Sequence, residues 1–322
     1  MKQAICTLFE GNYHLGLAAF CNSLFKFGFT GDVYAGYRGE LPPWAKGGDS
    51  GKLSEWPDST SLDMDDKISL HLIPLQTNYH FTNYKPDFML DLWRGVAKDA
   101  DVFFYIDPDI VVNANWQLFE KWVNAGIALC EDVNSPLAKN HPKRVGWRTY
   151  YGNHNISLTF KESFYVNGGF VGLHKRDIGF IETWKRLQEL MADEIGGLDR
   201  SSLSGPKIEK GKDSSFSPFG KTDQDALNAS IEASELPVSI AGTHAMSFSS
   251  GRALLPHALG QPKPWDLHAL SKCLSGYPLR QIDKIYWNYA NGVIRSQPAY
   301  KVWRKKLAIK CAVLVSRFYS RK

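Results

Sequence analysis

The feature that most constrains the fold of this 322-residue chain is an alternation of short apolar runs with helix-like stretches. Five runs are short and apolar enough to be buried strands, at 4–9, 33–37, 68–72, 102–106 and 127–130. Helix-like periodicity separates several of them, at 87–98, 116–124 and 177–193. This alternation favours a mainly parallel sheet with helices on both faces. We therefore predict one α/β domain, whose ligands would bind beyond the carboxyl ends of the strands.

The net charge of +5 conceals two regions of opposite charge. Residues 1–283 carry 28 basic and 33 acidic side chains, whereas 284–322 carry ten basic and no acidic ones. We predict that 1–283 forms the folded domain, with a flexible loop at 196–221 where Ser, Gly and Lys are frequent. Residues 284–322 are predicted to form a basic C-terminal extension. Because the larger region is slightly acidic, nucleic acid is not an expected partner.

The cysteines and the apolar segments indicate the compartment. The five cysteines are scattered and form no C-x-x-C pair, which excludes a zinc site built on paired thiolates and fits a reducing environment. The apolar stretch after Lys2 is too short for the core of a signal peptide. No segment approaches the roughly 20 apolar residues that span a bilayer. We expect a cytoplasmic protein, with peripheral attachment to the inner face of the membrane as a role for the extension.

An acidic pair ends the most apolar of the predicted strands. The run 102–106 is followed directly by Asp107-Pro108-Asp109. Mg²⁺ and Mn²⁺ prefer oxygen ligands and often bind one or two carboxylates together with phosphate oxygens. A metal site and a solvated turn both agree with this motif. The same D-x-D spacing occurs three more times without a preceding apolar strand, and on spacing alone these copies are predicted to be surface acids: Asp63/Asp65, Asp99/Asp101 and Asp223/Asp225.

A second motif, H-x-x-G-x-x-K-P-W, combines several features that are each common alone. The imidazole of His257 can complete the coordination shell of a cation. Gly260 permits close approach of the backbone to a ligand, and Lys263 offers a charge to a diphosphate. Pro264-Trp265 can anchor the segment. The joint spacing is far more specific than any one of these residues.

This segment resembles the closing motif of the glycogenin and lipopolysaccharide galactosyltransferase group, glycosyltransferase family 8, which has the GT-A fold. Three earlier segments agree with the family pattern in the right order, at 6–24, 164–170 and 222–228. The resemblance covers roughly residues 4–265. The chain departs from the pattern in the proline of its D-x-D motif, in Asp225, and in a longer segment between Asn167 and Asp223.

The resemblance implies a metal and diphosphate site. Asp107, Asp109 and His257 would bind the metal, Mn²⁺ or else Mg²⁺. Gly260 and Lys263 would contact the diphosphate of the donor.

The resemblance also implies residues for the rest of the donor, a nucleotide sugar that is UDP-linked in this family. Three residues near the N-terminus would frame the uracil and ribose: Thr7, Leu8 and Tyr13. Four would line the transferred sugar, the last two of them as catalytic residues: Asn167, Gly168, Asp223 and Gln224. Lys85 is a further candidate for contact with the donor.

The implied activity is metal-dependent transfer of a hexose to a glycan or glycolipid, with retention of anomeric configuration; a lipid-linked or cell-envelope acceptor such as lipopolysaccharide is expected from the basic extension alone. Gln224 carries a carboxamide, a poor covalent nucleophile, so a same-face route is preferred, and attack by Asp223 or Asp225 is the alternative. A sugar-nucleotide nucleotidyltransferase is a second interpretation, although residues 7–16 offer only Gly11 and Gly16 for a phosphate loop. A third is a non-catalytic protein that binds carbohydrate or membrane.

The basic extension has the pattern of an amphipathic helix. Five residues recur at helical spacing and define one apolar face: Trp303, Leu307, Cys311, Leu314 and Phe318. Lysine and arginine, Arg321 among them, occupy much of the remaining surface. Such a helix is predicted to lie in the headgroup region of an anionic membrane. The alternative is a terminal helix packed on the domain with its charges in solvent.

Overall fold

The computed structural model describes residues 1–209, 211–212, 214 and 216–318, which include a nine-stranded sheet. The strands are β1 (Gln3–Glu10), β2 (Gly31–Arg38), β3 (Asp49–Ser50), β4 (Thr60–Met64), β5 (Ile68–Pro74), β6 (Val102–Ile106), β7 (Ile127–Glu131), β8 (Val166–His174) and β9 (Val238–Ala241). Their order across the sheet is β3-β4-β5-β2-β1-β6-β8-β7-β9. All five strands predicted from the sequence are present near their predicted bounds.

The predicted class, an α/β sheet flanked by helices, is confirmed, but the sheet is mixed rather than mainly parallel. Its centre, β5-β2-β1-β6, is parallel throughout. The difference arises largely because β8 lies between β6 and β7 and runs antiparallel to both. As a result the first residues of β8 lie beside the end of β6, where Ile106 pairs with Phe170.

The described part of the chain also contains nine α-helices: α1 (His14–Lys26), α2 (Lys85–Arg94), α3 (Gln117–Trp122), α4 (Pro142–Asn153), α5 (Gly179–Ile195), α6 (Thr222–Ala233), α7 (Ala269–Leu274), α8 (Gln281–Tyr289) and α9 (Ala299–Val315). The helix predicted at 87–98 ends early, at Arg94, because Gly95 follows and glycine disfavours the helical conformation. The prediction at 116–124 corresponds to α3 and a 3₁₀ turn at Val123–Ala125.

Both faces of the sheet are covered, as predicted. Alternate residues of β1 enter two different apolar clusters, Cys6 on one face and Ile5 on the other. The first cluster includes Trp184 from α5, and the second includes Phe20 from α1. Fully burying one such large apolar side chain contributes about 1.5–3 kcal/mol. The packed faces therefore hold the carboxyl ends of the central strands in a fixed arrangement.

A third apolar cluster joins the C-terminal helices to the rest of the protein. It contains Trp265, Tyr286 and Trp287, together with Ala312 of α9. The charge boundary after Asp283 lies inside α8, so the change of charge does not coincide with a change in packing. The division into 1–283 and 284–322 stays a prediction from charge. Within the described residues, no helix has the length and apolar character needed to cross a membrane.

The predicted loop at 196–221 has no helix or strand among its described residues, and residues 210, 213 and 215 lie outside them. Hydrogen bonds join its beginning to the segment before α2. The His80 backbone N–H donates to the Leu198 carbonyl at 2.8 Å, and Asn83 Nδ2 donates to the same carbonyl at 2.9 Å. These contacts place the start of the loop next to the N-terminus of α2.

Candidate active site

The D-x-D motif forms a tight turn at the carboxyl end of β6. The Asp107 N–H donates to the Gly169 carbonyl of β8 at 2.8 Å, and the Ile110 N–H donates back to the Asp107 carbonyl at 3.1 Å. Gly16 of α1 allows the turn to approach, because a Cβ at that position would lie 2.5 Å from the Pro108 carbonyl oxygen. The predicted turn is thus fixed by contacts with β8 and α1.

The structure brings His257 to the two carboxylates from 148 residues further along the chain than Asp109. Ile110 and His257 form an isolated antiparallel bridge, and the Ala258 N–H donates to the Asp109 carbonyl at 3.2 Å. His257 Nε2 lies 3.2 Å from Asp109 Oδ1 and 3.7 Å from Asp107 Oδ2. One potential ligand atom from each of the three side chains lies within 4.8 Å of the others.

Lys263, from the same C-terminal motif, reaches the second carboxylate. Its Nζ lies 2.6 Å from Asp109 Oδ2 and 5.2 Å from the ring centre of Tyr13. Tyr13 in turn makes an edge contact with Trp265. Burial raises the pKa of the Asp109 carboxyl, but His257 and Lys263 lower it by more, so the pKa lies below its ordinary value. Asp109 is therefore a carboxylate at neutral pH.

Lys85 connects the acidic turn to the predicted sugar-binding residues. It is the first residue of α2 and is 3% exposed. Its Nζ lies 2.9 Å from Asp223 Oδ2, 2.9 Å from the Gly168 carbonyl and 3.4 Å from Asp107 Oδ1. Burial lowers the pKa of Lys85, but Asp107 and Asp223 raise it by more, which keeps the ammonium charged.

The remaining predicted sugar residues lie around the start of β8 and the start of α6. Gln224 Oε1 accepts from the Gly168 N–H at 3.2 Å, and Gln224 Nε2 is buried with no hydrogen-bond partner among the described residues. Asn167 Oδ1 accepts from the Gly169 N–H at 2.9 Å. A buried donor without a partner is rare in folded proteins, which marks Gln224 Nε2 as available to a ligand.

Three residues predicted to bind the nucleoside or the diphosphate form no hydrogen bond or ion pair with this cluster within the described part of the chain. Thr7 is fully buried, and its Oγ1 has no hydrogen-bond partner among the described residues. Leu8 is buried in the apolar cluster on one face of the sheet. Gly260 has a positive φ of 65°, a conformation that favours glycine.

The structure adds three residues that the sequence analysis missed. Asp132, directly after β7, is 1% exposed and accepts from Asn167 Nδ2 at 2.7 Å. The hydroxyl of Tyr105 donates to Asp107 Oδ1 at 2.8 Å. A Cβ on Gly169 would lie 2.8 Å from both Asn167 Oδ1 and Asp107 Oδ2. Of these, Asp132 could have been found, because it follows an apolar strand just as Asp107 does.

The prediction that the other three D-x-D copies are surface acids is wrong for the last one. Asp223 is 7% exposed and Asp225 is fully buried, because α6 packs its first turn into the protein. Asp225 does not join the Lys85 cluster. Its carboxylate accepts from the Tyr165 hydroxyl at 2.7 Å and lies 2.5 Å from Lys143 Nζ. These contacts occupy the oxygens of Asp225 and disfavour it as a nucleophile.

The donor set suits a hard divalent cation. Two carboxylates and one imidazole converge, and the absence of a side chain at Gly169 leaves space beside Asp107 and His257, since a Cβ there would lie 2.8 Å from Asp107 Oδ2 and from His257 Cε1. Oxygen and imidazole ligands are those that Mn²⁺ accepts, and Mg²⁺ favours the carboxylates. The residues present therefore fit the predicted ion.

No protein-family model matches the chain, and no curated protein sequence matches it. Solved structures do resemble it. The galactosyltransferase LgtC, crystallised with donor and acceptor sugar analogs, is 14% identical with a TM-score of 0.51, over 94% of this chain and 99% of LgtC. The bifunctional glycosyltransferase WbbM, in its apo form, is 12% identical with a TM-score of 0.50, over 95% of this chain and 52% of WbbM.

The glycosyltransferase GlyE of Streptococcus pneumoniae TIGR4 is 15% identical with a TM-score of 0.49, over 96% of this chain and 64% of GlyE. The chain thus spans about two thirds of GlyE and about half of WbbM, but nearly all of LgtC. At these identities the likeness concerns the fold. The chain has the α/β fold of the glycosyltransferases LgtC and WbbM, as expected for a GT-A protein.

Proposed function

We propose that this protein is a metal-dependent glycosyltransferase that moves a hexose from a UDP-sugar to a glycan or glycolipid, with retention of configuration. The observation that carries the proposal is one continuous buried cluster. Asp107, Asp109 and His257 converge within 4.8 Å, and Lys85 joins them to Asp223 at 2.9 Å. A cation site beside a polar sugar pocket is the arrangement that transfer from a nucleotide sugar requires.

In this proposal, the acidic turn and the C-terminal motif bind and stabilise the leaving group. Asp107, Asp109 and His257 would hold Mn²⁺ or Mg²⁺, which when bound supplies positive charge next to the departing diphosphate. Lys263 already lies in this group, 2.6 Å from Asp109 Oδ2, and its ammonium would pair with a diphosphate oxygen. Gly260 would contact the same diphosphate. Thr7, Leu8 and Tyr13 would frame the uracil and ribose.

The sugar side falls to β8 and α6, where Asn167, Gly168, Asp223 and Gln224 would hold the hexose. An acceptor hydroxyl oxygen bonds to the anomeric carbon while the bond from that carbon to the diphosphate breaks. The electron pair leaves with UDP, and the hydroxyl proton passes to the departing phosphate oxygen. Attack on the face that the diphosphate leaves gives retention. Gln224 Nε2, buried without a partner among the described residues, would orient the sugar during this step.

The metal assignment is tested by removing one ligand. We expect Asp109→Asn or His257→Ala to lower Mn²⁺-dependent transfer, measured as UDP release, by at least about 100-fold. Asp99→Asn is the matched control, because it alters an exposed D-x-D copy whose Asp99 side chain is 73% exposed. Undiminished transfer by either ligand variant, with the variant folded as judged by circular dichroism, would remove the assignment. An inverted anomer after a single turnover would refute retention.

We also propose that α9 places the enzyme on an anionic membrane surface, where a glycolipid acceptor is found. One side of α9 packs on the protein through Ile309 and Ala312, which are buried. The predicted apolar face is exposed: Trp303 by 65%, Leu307 by 47% and Leu314 by 57%. Basic side chains flank this face and match the charge of anionic lipid: Lys301, Arg304, Lys306, Lys310 and Arg317.

A further inference from the structure

A cavity opens beside the predicted sugar site and has no role in the chemistry described above. Its volume is about 470 Å³. Asn134 lines it after β7, Lys143 from the start of α4, and Tyr165 before β8. Lys221, directly before α6, completes this part of the wall. Apart from Tyr165, the described lining residues therefore come from two segments outside the central strands of the sheet, 134–143 and 202–221.

This cavity adjoins the residues assigned to the donor sugar. Tyr165 lies two residues before Asn167, and Lys221 lies two residues before Asp223. Lys221 Nζ lies 3.9 Å from Asp132 Oδ1, and the other oxygen of Asp132 accepts from Asn167 at 2.7 Å. The cavity thus lies beside the donor-sugar residues, with Asp132 and Asn167 at the shared boundary. That is the position an acceptor must occupy to reach the anomeric carbon.

The wall of the cavity is basic. Lys143, Lys221 and His141 line it, and none of its lining residues in the described part of the chain is acidic. Among the described residues, the carboxylates that pair with these lysines, those of Asp225 and Asp132, lie behind the wall and are 0% and 1% exposed. Asp225 neutralises Lys143 at 2.5 Å. The Lys221 side chain is 45% exposed, and the carboxylate paired with it in the described part of the chain, Asp132, lies 3.9 Å away, so the charge of Lys221 is only loosely matched.

His141 adds a hydrogen-bond donor and an aromatic surface. Its Nδ1 accepts from the Lys143 N–H at 3.2 Å, which leaves the proton of the neutral ring on Nε2. Burial, together with Lys143 and Arg144, lowers the pKa of His141, in agreement with a positive local potential. The ring of Phe216, 64% exposed, lies 6.0 Å from the His141 ring and offers an apolar surface to a sugar.

We propose that this cavity binds the acceptor, and that the acceptor carries an anionic group, a carboxylate or a phosphate, which pairs with Lys221. Lys143 and His141 donate further hydrogen bonds to the same group, and Phe216 covers the apolar face of the sugar ring. This inference rests on the proposed glycosyltransferase function and adds the chemical class of the acceptor to it.

The test compares acceptors that differ only in the group at C6, which is a neutral hydroxymethyl, a carboxylate or a phosphate ester: methyl glucoside, methyl glucuronide and methyl glucoside 6-phosphate. For the full-length protein we expect kcat/KM to be at least about 10-fold higher with one of the charged acceptors than with the neutral one. Lys221→Gln should lower this preference by about 10-fold, through the KM for the acceptor, while the Kd of UDP stays unchanged. Which charged glycoside is preferred identifies the anionic group.

Lys212→Gln is the matched control, because Lys212 lies in the same segment, is similarly exposed at 38% and pairs with Glu194 and Glu209 away from the cavity wall. It should retain the full preference. Equal use of charged and neutral acceptors, or a preference that survives Lys221→Gln, would overturn the inference.

A direct binding measurement separates this inference from the proposed function. Binding of methyl glucuronide and of the 6-phosphate is followed by NMR line broadening in the full-length protein and in Lys221→Gln. If the protein neither binds UDP nor transfers sugar, the glycosyltransferase proposal fails, while binding that Lys221→Gln weakens still supports an anionic-glycoside site. If UDP binds but no charged glycoside does, the acceptor inference alone fails.

Discussion

At the scale of single residues, the two carboxylates of the D-x-D motif have different partners. Asp107 lies 3.4 Å from Lys85, which also contacts Asp223, whereas Asp109 lies 2.6 Å from Lys263. Both lysines are buried and charged, so removing either would leave a buried carboxylate without its partner. The motif therefore connects Lys85 to Lys263 through three consecutive residues, which in the proposed function links the sugar side of the site to the diphosphate side.

Gly169 makes a residue-scale prediction. Gly169→Ala would place a methyl group 2.8 Å from Asn167 Oδ1, Asp107 Oδ2 and His257 Cε1, so the site must shift. Displacements of this kind cost on the order of 100-fold in rate, and we expect that loss in a transfer assay. Gly152→Ala is the control, since nothing lies within 4 Å of the new methyl group. In α4 it should stabilise the fold by up to about 1 kcal/mol without altering transfer. Full activity of Gly169→Ala would contradict this assignment.

At the scale of elements, the antiparallel β8 decides where the site forms. Because β8 begins at the edge where β6 ends, Asn167, Gly168 and Gly169 lie next to Asp107 without a connecting loop. α2 and α6 then direct Lys85 and Asp223 to the same edge. Each element is also held by its own apolar face, so the polar cluster is built on rigid supports.

Asn22 makes an element-scale prediction, because it ties α1 to the segment after α8. It is 5% exposed; its Nδ2 donates to the Tyr289 and Ile294 carbonyls, and its Oδ1 accepts from the Ile294 N–H, all at 2.9 Å. Asn22→Ala leaves these buried groups unpaired and should cost about 2–4 kcal/mol of unfolding free energy, measured by urea denaturation. The exposed Asn153 is the control, and Asn153→Ala should change stability by less than about 0.5 kcal/mol. A similar loss of unfolding free energy in both variants would contradict the role of Asn22 in linking α1 to the segment after α8.

At the scale of the whole molecule, the basic extension is packed on one side and exposed on the other. Ile309 and Ala312 anchor α9 to α7 and α8, so its exposed apolar face is held in a fixed orientation relative to the site. The packed side agrees with the alternative of a terminal helix packed on the rest of the protein, whereas a membrane role for the exposed side stays a proposal. Arg321 lies outside the described residues.

At this scale, the membrane proposal predicts that the protein sediments together with anionic lipid vesicles. The full-length chain should bind phosphatidylglycerol vesicles, with about 1 kcal/mol for each basic residue near the surface, and should lose binding at high salt. A chain that ends near Tyr300 should not bind. The double variant Trp303→Ser/Leu307→Ser keeps every charge and both buried anchors, so it tests the apolar face without removing α9. Binding that is equal in all three proteins would dismiss the proposal.

The sequence alone predicted five of the nine strands of the described chain, the D-x-D turn after β6 and the C-terminal motif, because each is a local pattern of a few residues. The apolar strand before Asp107 separated that D-x-D copy from the other three, but spacing alone did not separate Asp223/Asp225 from the two exposed copies. Asp63 and Asp99 are exposed, as expected, but Asp223 and Asp225 are buried and point to different lysines. The burial of Asp223 and Asp225 and their contacts with different lysines arise from the packing of α6, which the spacing of two aspartates does not predict.

The residues that complete the site come from distant parts of the chain. Lys85 meets Asp223, Asp132 meets Asn167, and Lys263 meets Asp109. Sequence by itself determined which chemistry the chain carries, since carboxylates, an imidazole and lysines at recognisable spacing follow from local patterns. Only the tertiary structure decided which of them act together, because the insertion of β8 beside β6 and the burial of α2 and α6 bring charges within 3 Å that are far apart in the chain.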